Sequence, residues 1–143
     1  MHDQNPLTMG IDHVGLAVSD LEGSRRFFVE RLGWHVVGAN PAYPAIFVSD
    51  GCIRLTLWQV DTSNDYVPFN RRKNVGLHHL ALKVADTAAL ERIHEQALTW
   101  PEVEIEFAPQ QVGNGPRVHC MMYEPSGIRV EFVCTRSPDD PRA

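Results

Sequence analysis

The stretch IDHVGLAVSDL at residues 11–21 matches the stretch LHHLALKVADT at residues 77–87, and each has a histidine at its third position. A second pair of stretches, CIRLTL at 52–57 and GIRVEF at 127–132, matches further along both halves of the chain. Matching segments in the same order identify a repeated structural unit. The chain therefore contains two copies of one module.

Each copy predicts the order strand, helix, strand, strand, strand. In the first copy, apolar residues alternate with His13, Gly15 and Ala17, which is the pattern of a half-buried strand. Ser19 or Asp20 is expected to cap the next helix, and Gly33 to end it. Three short strands follow near 34–37, 45–48 and 53–58. The second copy repeats this order with a strand at 79–84, a helix at 87–98, and strands near 103–107, 118–123 and 128–133.

These elements predict an α+β fold in which two βαβββ modules form a mixed sheet with the helices on its outer face. The modules span 9–60 and 77–134, and a linker at 61–76 joins them within a single domain of residues 9–134. A chain of 143 residues has a common length for one domain, so this organisation needs no second core.

Strand alternation assigns three polar side chains to the face opposite the helices. If Leu16 and Val18 pack beneath the first helix, His13 must point the other way, because successive side chains of a strand alternate between faces. The same reasoning applies to His79 in the second copy. It also applies to Glu131, which lies between apolar neighbours in the last strand.

Two histidines and a glutamate on one face predict a divalent metal site. This ligand set suits Fe(II), Mn(II), Ni(II) or Zn(II), with positions left open for water or substrate. A buried, unpaired carboxylate at Glu131 would cost several kcal/mol, so it needs a metal or a basic partner. Arg54 and Arg129 lie on the same face, and an arginine is the alternative partner.

The overall charge argues against a nucleic-acid surface, because the net charge is −5 and the isoelectric point about 5.7. The one basic cluster, Arg71-Arg72-Lys73, is interpreted as a solvated loop. No apolar run is long enough to span a membrane. The first ten residues have neither a basic start nor an apolar stretch, and a cytoplasmic protein is expected.

The sequence resembles the vicinal oxygen chelate superfamily, which includes glyoxalase I, fosfomycin-resistance proteins, extradiol dioxygenases and bleomycin-resistance proteins. The motifs that carry this resemblance are DHVGLAVSDL with His13, HHLALKV with His79, and EPSGIRVEF with Glu131. The resemblance covers about residues 9–134. It implies a cup-shaped sheet in which these three residues hold the metal, and a metal that binds a small oxygenated substrate.

One position departs from glyoxalase I. That enzyme has a fourth ligand, a glutamate, on the last strand of its first module, where this chain has Thr56. Threonine is a poor ligand and cannot act as a carboxylate base, so typical glyoxalase I chemistry is not expected. The chain also departs from the fosfomycin-resistance and dioxygenase patterns. The positions that carry active-site Ser or Tyr residues in those families are Gly115, His119 and Met121 here.

The residues expected around the metal are interpreted as follows. His119 and Thr56 are the candidate catalytic residues, and His119 is a candidate general acid or base. The direction in which the His119 strand faces is left open. The expected substrate pocket contains Arg54, Trp58, Arg117, Tyr123 and Arg129.

Two functions follow from this interpretation. The first is a metal-dependent enzyme, a lyase, isomerase or extradiol-type dioxygenase, that acts on a small oxygenated molecule. The alternative is a metal-free binding protein of the bleomycin-resistance type. A homodimer is expected in either case, because each module leaves an open sheet edge that related proteins close by pairing modules across subunits.

Overall fold

The computed structural model of the protein describes residues 5–140. These residues form two four-stranded sheets, each with a helix, in the predicted order. The elements are β1 His13–Val18, α1 Leu21–Arg26, β2 His35–Asn40, β3 Ala45–Ser49, β4 Arg54–Gln59, β5 Leu80–Lys83, α2 Thr87–Ala97, β6 Glu104–Gln111, β7 Arg117–Tyr123 and β8 Arg129–Thr135.

Both sheets have the same topology. The strand order is β1-β4-β3-β2 in one and β5-β8-β7-β6 in the other. In each, the first two strands are parallel and the remaining neighbours are antiparallel. The predicted α+β fold with a repeated βαβββ module is therefore confirmed. The chain divides into two compact units, with the boundary between Val60 and Asp61.

The helix starts follow from side-chain capping. Asp20 accepts a hydrogen bond from the backbone N–H of Gly23, and Asp86 accepts one from Ala89. Helix α1 continues into a π-helical turn at Phe27–Arg31, which the sequence did not predict. The chain leaves this turn at Gly33, whose φ of 77° is readily adopted by glycine.

Each sheet buries one face under its own helix. In the first unit, Leu16, Leu55 and Leu57 are buried, and α1 packs against β3 and β4. In the second unit, Val130 and Phe132 are buried in the same way, beneath α2. The opposite face of each sheet carries the polar candidate residues, among them Thr56 in the first sheet and Glu131 in the second. Among residues 5–140, no helix is both long and apolar enough to cross a membrane.

Candidate functional site

The strand register places Thr56 and Glu131 at equivalent positions of the two sheets. Gly15 of β1 pairs with Thr56 of β4, and Ala81 of β5 pairs with Glu131 of β8. His13 lies two residues before Gly15, and His79 lies two residues before Ala81. The sequence alignment of the two copies therefore holds in the hydrogen-bonded register within each unit.

Glu131 is held by two histidines. The residue is only 8% exposed, and its Oε2 lies 3.1 Å from His79 Nε2. Its Oε1 lies 2.7 Å from His119 Nδ1. Arg129, the alternative basic partner on the same strand, pairs instead with Glu106. Histidines and not an arginine therefore satisfy this carboxylate.

The geometry of His79 and Glu131 suits two ligands of one ion. Ligand atoms that each lie about 2.1 Å from a metal are separated by about 3.0–3.4 Å, and the observed separation is 3.1 Å. Nδ1 of His79 lies 2.8 Å from His78 Nδ1, so Nε2 is the ring nitrogen that faces Glu131 and could bind an ion. Within residues 5–140, however, no group of three or more His, Cys, Asp or Glu side chains is arranged to hold an ion.

His119 shares the face of Glu131, which settles the direction that the sequence left open. Its β7 neighbour Met121 pairs in register with Glu131, and the imidazole ring packs 4.9 Å from the ring of Phe107. The Nδ1 contact with Glu131 therefore holds the imidazole of His119 against this carboxylate.

His13 lies in the first unit beside an acidic neighbour. Its Nδ1 lies 2.7 Å from Asp12 Oδ2, and this hydrogen bond lowers the pKa of Asp12. Histidines that bind metals commonly donate their second ring N–H to a carboxylate, so this contact leaves Nε2 of His13 for coordination. Asp12 was not predicted from the sequence. Arg54 lies 3.6 Å from the same carboxylate.

Thr56 is buried and already hydrogen-bonded. Its hydroxyl accepts a hydrogen bond of 2.8 Å from the Trp58 indole N–H, and the residue is 4% exposed. A side chain on Gly15 would bring its Cβ to 3.2 Å from this hydroxyl. The Trp58 ring itself packs against Tyr43 and Phe47 at 4.7 and 5.5 Å. Thr56 and Trp58 thus form a packed pair on the face away from α1.

Two of the predicted pocket residues converge on Glu106 of β6, which the sequence analysis missed. Arg129 donates through Nε and Nη2 to its two carboxylate oxygens at 3.1 and 2.6 Å. The Tyr123 hydroxyl donates to Oε1 at 2.7 Å. The sequence feature that indicates this carboxylate is its position between two apolar residues, Ile105 and Phe107.

Arg71 joins this cluster, and the interpretation of Arg71-Arg72-Lys73 as a solvated loop is wrong for Arg71. Its Nη1 donates to the Tyr123 hydroxyl at 2.8 Å, and its Nη2 lies 3.4 Å from Glu106. Arg72 and Lys73 are exposed, as expected. Arg117 lies at the opposite end of β7 from Tyr123, in a groove that Lys83 also lines.

Arg71, Arg129, Tyr123 and Glu106 form an arginine cluster. This cluster makes the stability of the protein depend on pH, because Glu106 titrates. Hydrogen bonds from Arg129, and then from Tyr123, lower the pKa of Glu106 from 4.5 to about 2. Because the folded-state pKa is the lower one, the stabilisation is complete above 4.5 and is lost as the pH falls towards 2. Solvent screening reduces the contribution of this partly exposed ion pair to about 1–2 kcal/mol.

Glu106→Gln is therefore expected to lower the free energy of unfolding at pH 7 by about 1–2 kcal/mol. It should also make the free energy of unfolding less dependent on pH between pH 4.5 and pH 2, because glutamine does not titrate. Urea unfolding at pH 7 and pH 3 measures both effects. Glu104→Gln, at an exposed position of the same strand, is the matched control. Equal losses in the two variants would show that the cluster adds no stability.

Comparison with known proteins identifies the family. The Glyoxalase/Bleomycin resistance protein/Dioxygenase superfamily matches residues 10–132. The chain belongs to this superfamily. The resemblance inferred from the histidine and glutamate motifs is thereby confirmed. Among curated proteins, none matches the chain significantly.

Solved structures of this superfamily share the fold. A glyoxylase/bleomycin resistance protein/dioxygenase domain from Frankia sp. EAN1pec has a TM-score of 0.74 at 22% identity, over 92% of this chain and 95% of that one. Lactoylglutathione lyase from Agrobacterium tumefaciens has a TM-score of 0.67 at 22% identity, over 90% and 95%. A glyoxalase family protein from Enterococcus faecalis has a TM-score of 0.69 at 22% identity, over 87% of this chain and 97% of that one. At these identities the likeness extends to the fold alone.

Proposed function

We propose that this superfamily member is a divalent-metal-dependent enzyme that acts on a small oxygenated substrate. The observation that carries the proposal is the arrangement at Glu131, where His79 lies 3.1 Å from one carboxylate oxygen and His119 lies 2.7 Å from the other. His79 and this carboxylate, joined by one further histidine, would form a ligand set that suits Fe(II), Mn(II), Ni(II) or Zn(II). A bound ion would polarise a substrate oxygen as a Lewis acid.

His13 is proposed as the third ligand of a homodimeric protein. Its hydrogen bond to Asp12 gives it the same arrangement as His79, with Nδ1 engaged and Nε2 left for a metal. A second copy of the chain would supply this histidine. Strand β1 begins at His13 and β5 begins directly after His79. Both are at the edges of their own sheets, and an edge strand can pair with another chain.

The side chains of Thr56 and His119 limit the reactions that the proposed enzyme can catalyse. Thr56 occupies the position equivalent to Glu131 and cannot take a proton as a carboxylate does. Since its oxygen accepts from Trp58, its own hydroxyl proton is available to a substrate oxygen. His119 is proposed to orient Glu131 through Nδ1. These roles favour lyase, isomerase or oxygenase chemistry without a second carboxylate base, and they disfavour typical glyoxalase I activity.

A metal-free binding protein is the second candidate. The observation in its favour is that the two histidines satisfy Glu131 without an ion. The aromatic group of Tyr43, Phe47 and Trp58 also offers a surface for an apolar or aromatic ligand. Metal content distinguishes this function from the enzyme.

Protein purified without chelators is expected to contain one transition-metal ion per chain, in a particle of twice the chain mass. Elemental analysis and light scattering measure the two quantities on one sample. After the metal is stripped, Ni(II), Mn(II), Fe(II) or Zn(II) should each be tested for an increase in melting temperature. A ligand at a hundredfold excess over its Kd stabilises the folded state by about 2.7 kcal/mol. Absence of metal together with no response to any of these ions would favour the binding protein.

A further inference from the structure

A small cationic pocket lies in the second unit, beside the proposed metal ligands. Asn70, Arg71, His78, Tyr123 and Arg129 line it. Two of these residues carry guanidinium groups, and one is the immediate sequence neighbour of His79. The pocket therefore combines fixed positive charge with a position next to the proposed site.

Glu106 fixes both guanidinium groups without cancelling their charge. Arg129 binds it through Nε and Nη2, and Arg71 reaches it through Nη2 at 3.4 Å. The hydroxyl of Tyr123 accepts from Arg71 and donates to Glu106, so it links the two. Two positive charges and one negative charge leave this cluster with a net charge of +1.

Arg71 keeps hydrogen-bond donors for a ligand. A guanidinium has five N–H donors. Among residues 5–140, the contacts of Arg71 are one through Nη1 to Tyr123 and one through Nη2 to Glu106. Its Nε–H and the second hydrogen on each terminal nitrogen are left for a molecule in the pocket. Its side chain is 31% exposed, so a solute can reach it.

His78 connects the pocket to the proposed metal ligand. Its Nδ1 lies 3.4 Å from Arg129 Nη1 and 2.8 Å from His79 Nδ1. A molecule held by the arginines would therefore lie one side chain away from His79.

We propose that this pocket binds the carboxylate group of the substrate, which makes the substrate a small carboxylic acid with a second oxygen function. A monoanionic carboxylate neutralises the +1 cluster, whereas a phosphate dianion would leave an uncompensated negative charge. A guanidinium can bind a carboxylate or a phosphate through two parallel N–H bonds, so the charge balance of the cluster is what favours the carboxylate. The placement of the second oxygen rests on the proposed function, but binding of the carboxylate does not.

The test uses acetate as the probe and metal-stripped, full-length protein. Acetate is titrated at constant ionic strength against chloride, and the arginine Nε–H signals are followed by NMR. Wild type should give saturable shifts at Arg71 and Arg129. Arg71→Gln should weaken acetate binding by roughly tenfold or more, the effect of losing hydrogen bonds to a charged group. Arg72→Gln, one residue along the same loop, should bind acetate as wild type does.

Inorganic phosphate at pH 8 is the comparison anion. Wild type should bind acetate more tightly than phosphate. Glu106→Gln raises the cluster to +2 and should shift this preference towards phosphate. Melting temperatures without anion establish that each variant is folded. Equal acetate affinity in wild type and Arg71→Gln, an equal loss in Arg72→Gln, or tighter phosphate binding by wild type would overturn the proposal.

The two proposals fail separately in this design. Saturable acetate binding by metal-stripped protein that also never takes up a metal would support the carboxylate pocket and refute the metal-dependent enzyme. Metal uptake without any acetate effect at Arg71 would refute the pocket and leave the metal centre supported.

Discussion

Replacing His79 with alanine is expected to abolish the thermal stabilisation that a divalent metal gives to the wild-type protein. His79 Nε2 lies 3.1 Å from Glu131 Oε2, and its removal leaves the proposed ion without one of the two ligands that meet in this unit. At a hundredfold excess of metal over its Kd, the stabilisation that is lost amounts to about 2.7 kcal/mol, or about 5–10 °C in melting temperature. Differential scanning calorimetry with and without metal measures it.

The control for this variant is His35→Ala, because His35 is an exposed histidine on β2. It should keep the full response to metal. Each protein is compared with itself with and without metal, so any change in the stability of the metal-free protein cancels. An undiminished metal response in His79→Ala would remove His79 from the ligand set.

His119 should give a graded result in the same measurement. Its Nδ1 holds the other oxygen of Glu131 at 2.7 Å. Loss of a residue that orients a ligand typically costs about 10–100-fold in metal affinity. His119→Ala is therefore expected to need more metal for the same shift in melting temperature, while His79→Ala shows no shift at any accessible concentration. Equal behaviour of the two variants would make His119 a ligand too.

The fold was predictable because its signals are local and occur twice. Alternation in β1 and β8, the capping aspartate Asp20 and the glycine at 33 are each read from a few neighbouring residues. The repeat then assigns weak segments by comparison with their equivalents. The juxtaposition of His79 and Glu131 followed from the same alternation, and the two side chains are in contact. Their role in holding a metal stays a prediction.

What could not be predicted depends on contacts between distant residues. Arg71 and Tyr123 are 52 positions apart, and no local pattern separates Arg71 from the exposed Arg72 beside it. The facing of His119 was equally hidden, because both faces of β7 carry apolar residues. The π-helical turn at Phe27–Arg31, which buries Phe27 and Phe28, also had no local signal in the sequence.

Thr56→Glu is expected to destabilise the metal-free protein and to raise its affinity for metal. The hydroxyl of Thr56 lies in a packed environment between Gly15 and Trp58, and a carboxylate buried there without a partner costs about 3 kcal/mol or more. In register, the new side chain stands where Glu131 stands in the second sheet. A bound ion would give that carboxylate its counter-charge, so metal should restore most of the lost stability.

Thr56→Gln is the matched control, because it adds the same volume without the charge. Both variants should unfold at lower temperature than wild type when metal-free. Only Thr56→Glu should recover on addition of metal, with a rise in melting temperature larger than that of wild type. Turnover of the native substrate should fall in Thr56→Glu, since the fourth protein ligand occupies a position that the substrate oxygen needs. If glutamate and glutamine respond alike to metal while both remain folded, residue 56 does not lie beside the ion. The absence of a carboxylate at this position would then carry no argument against glyoxalase chemistry.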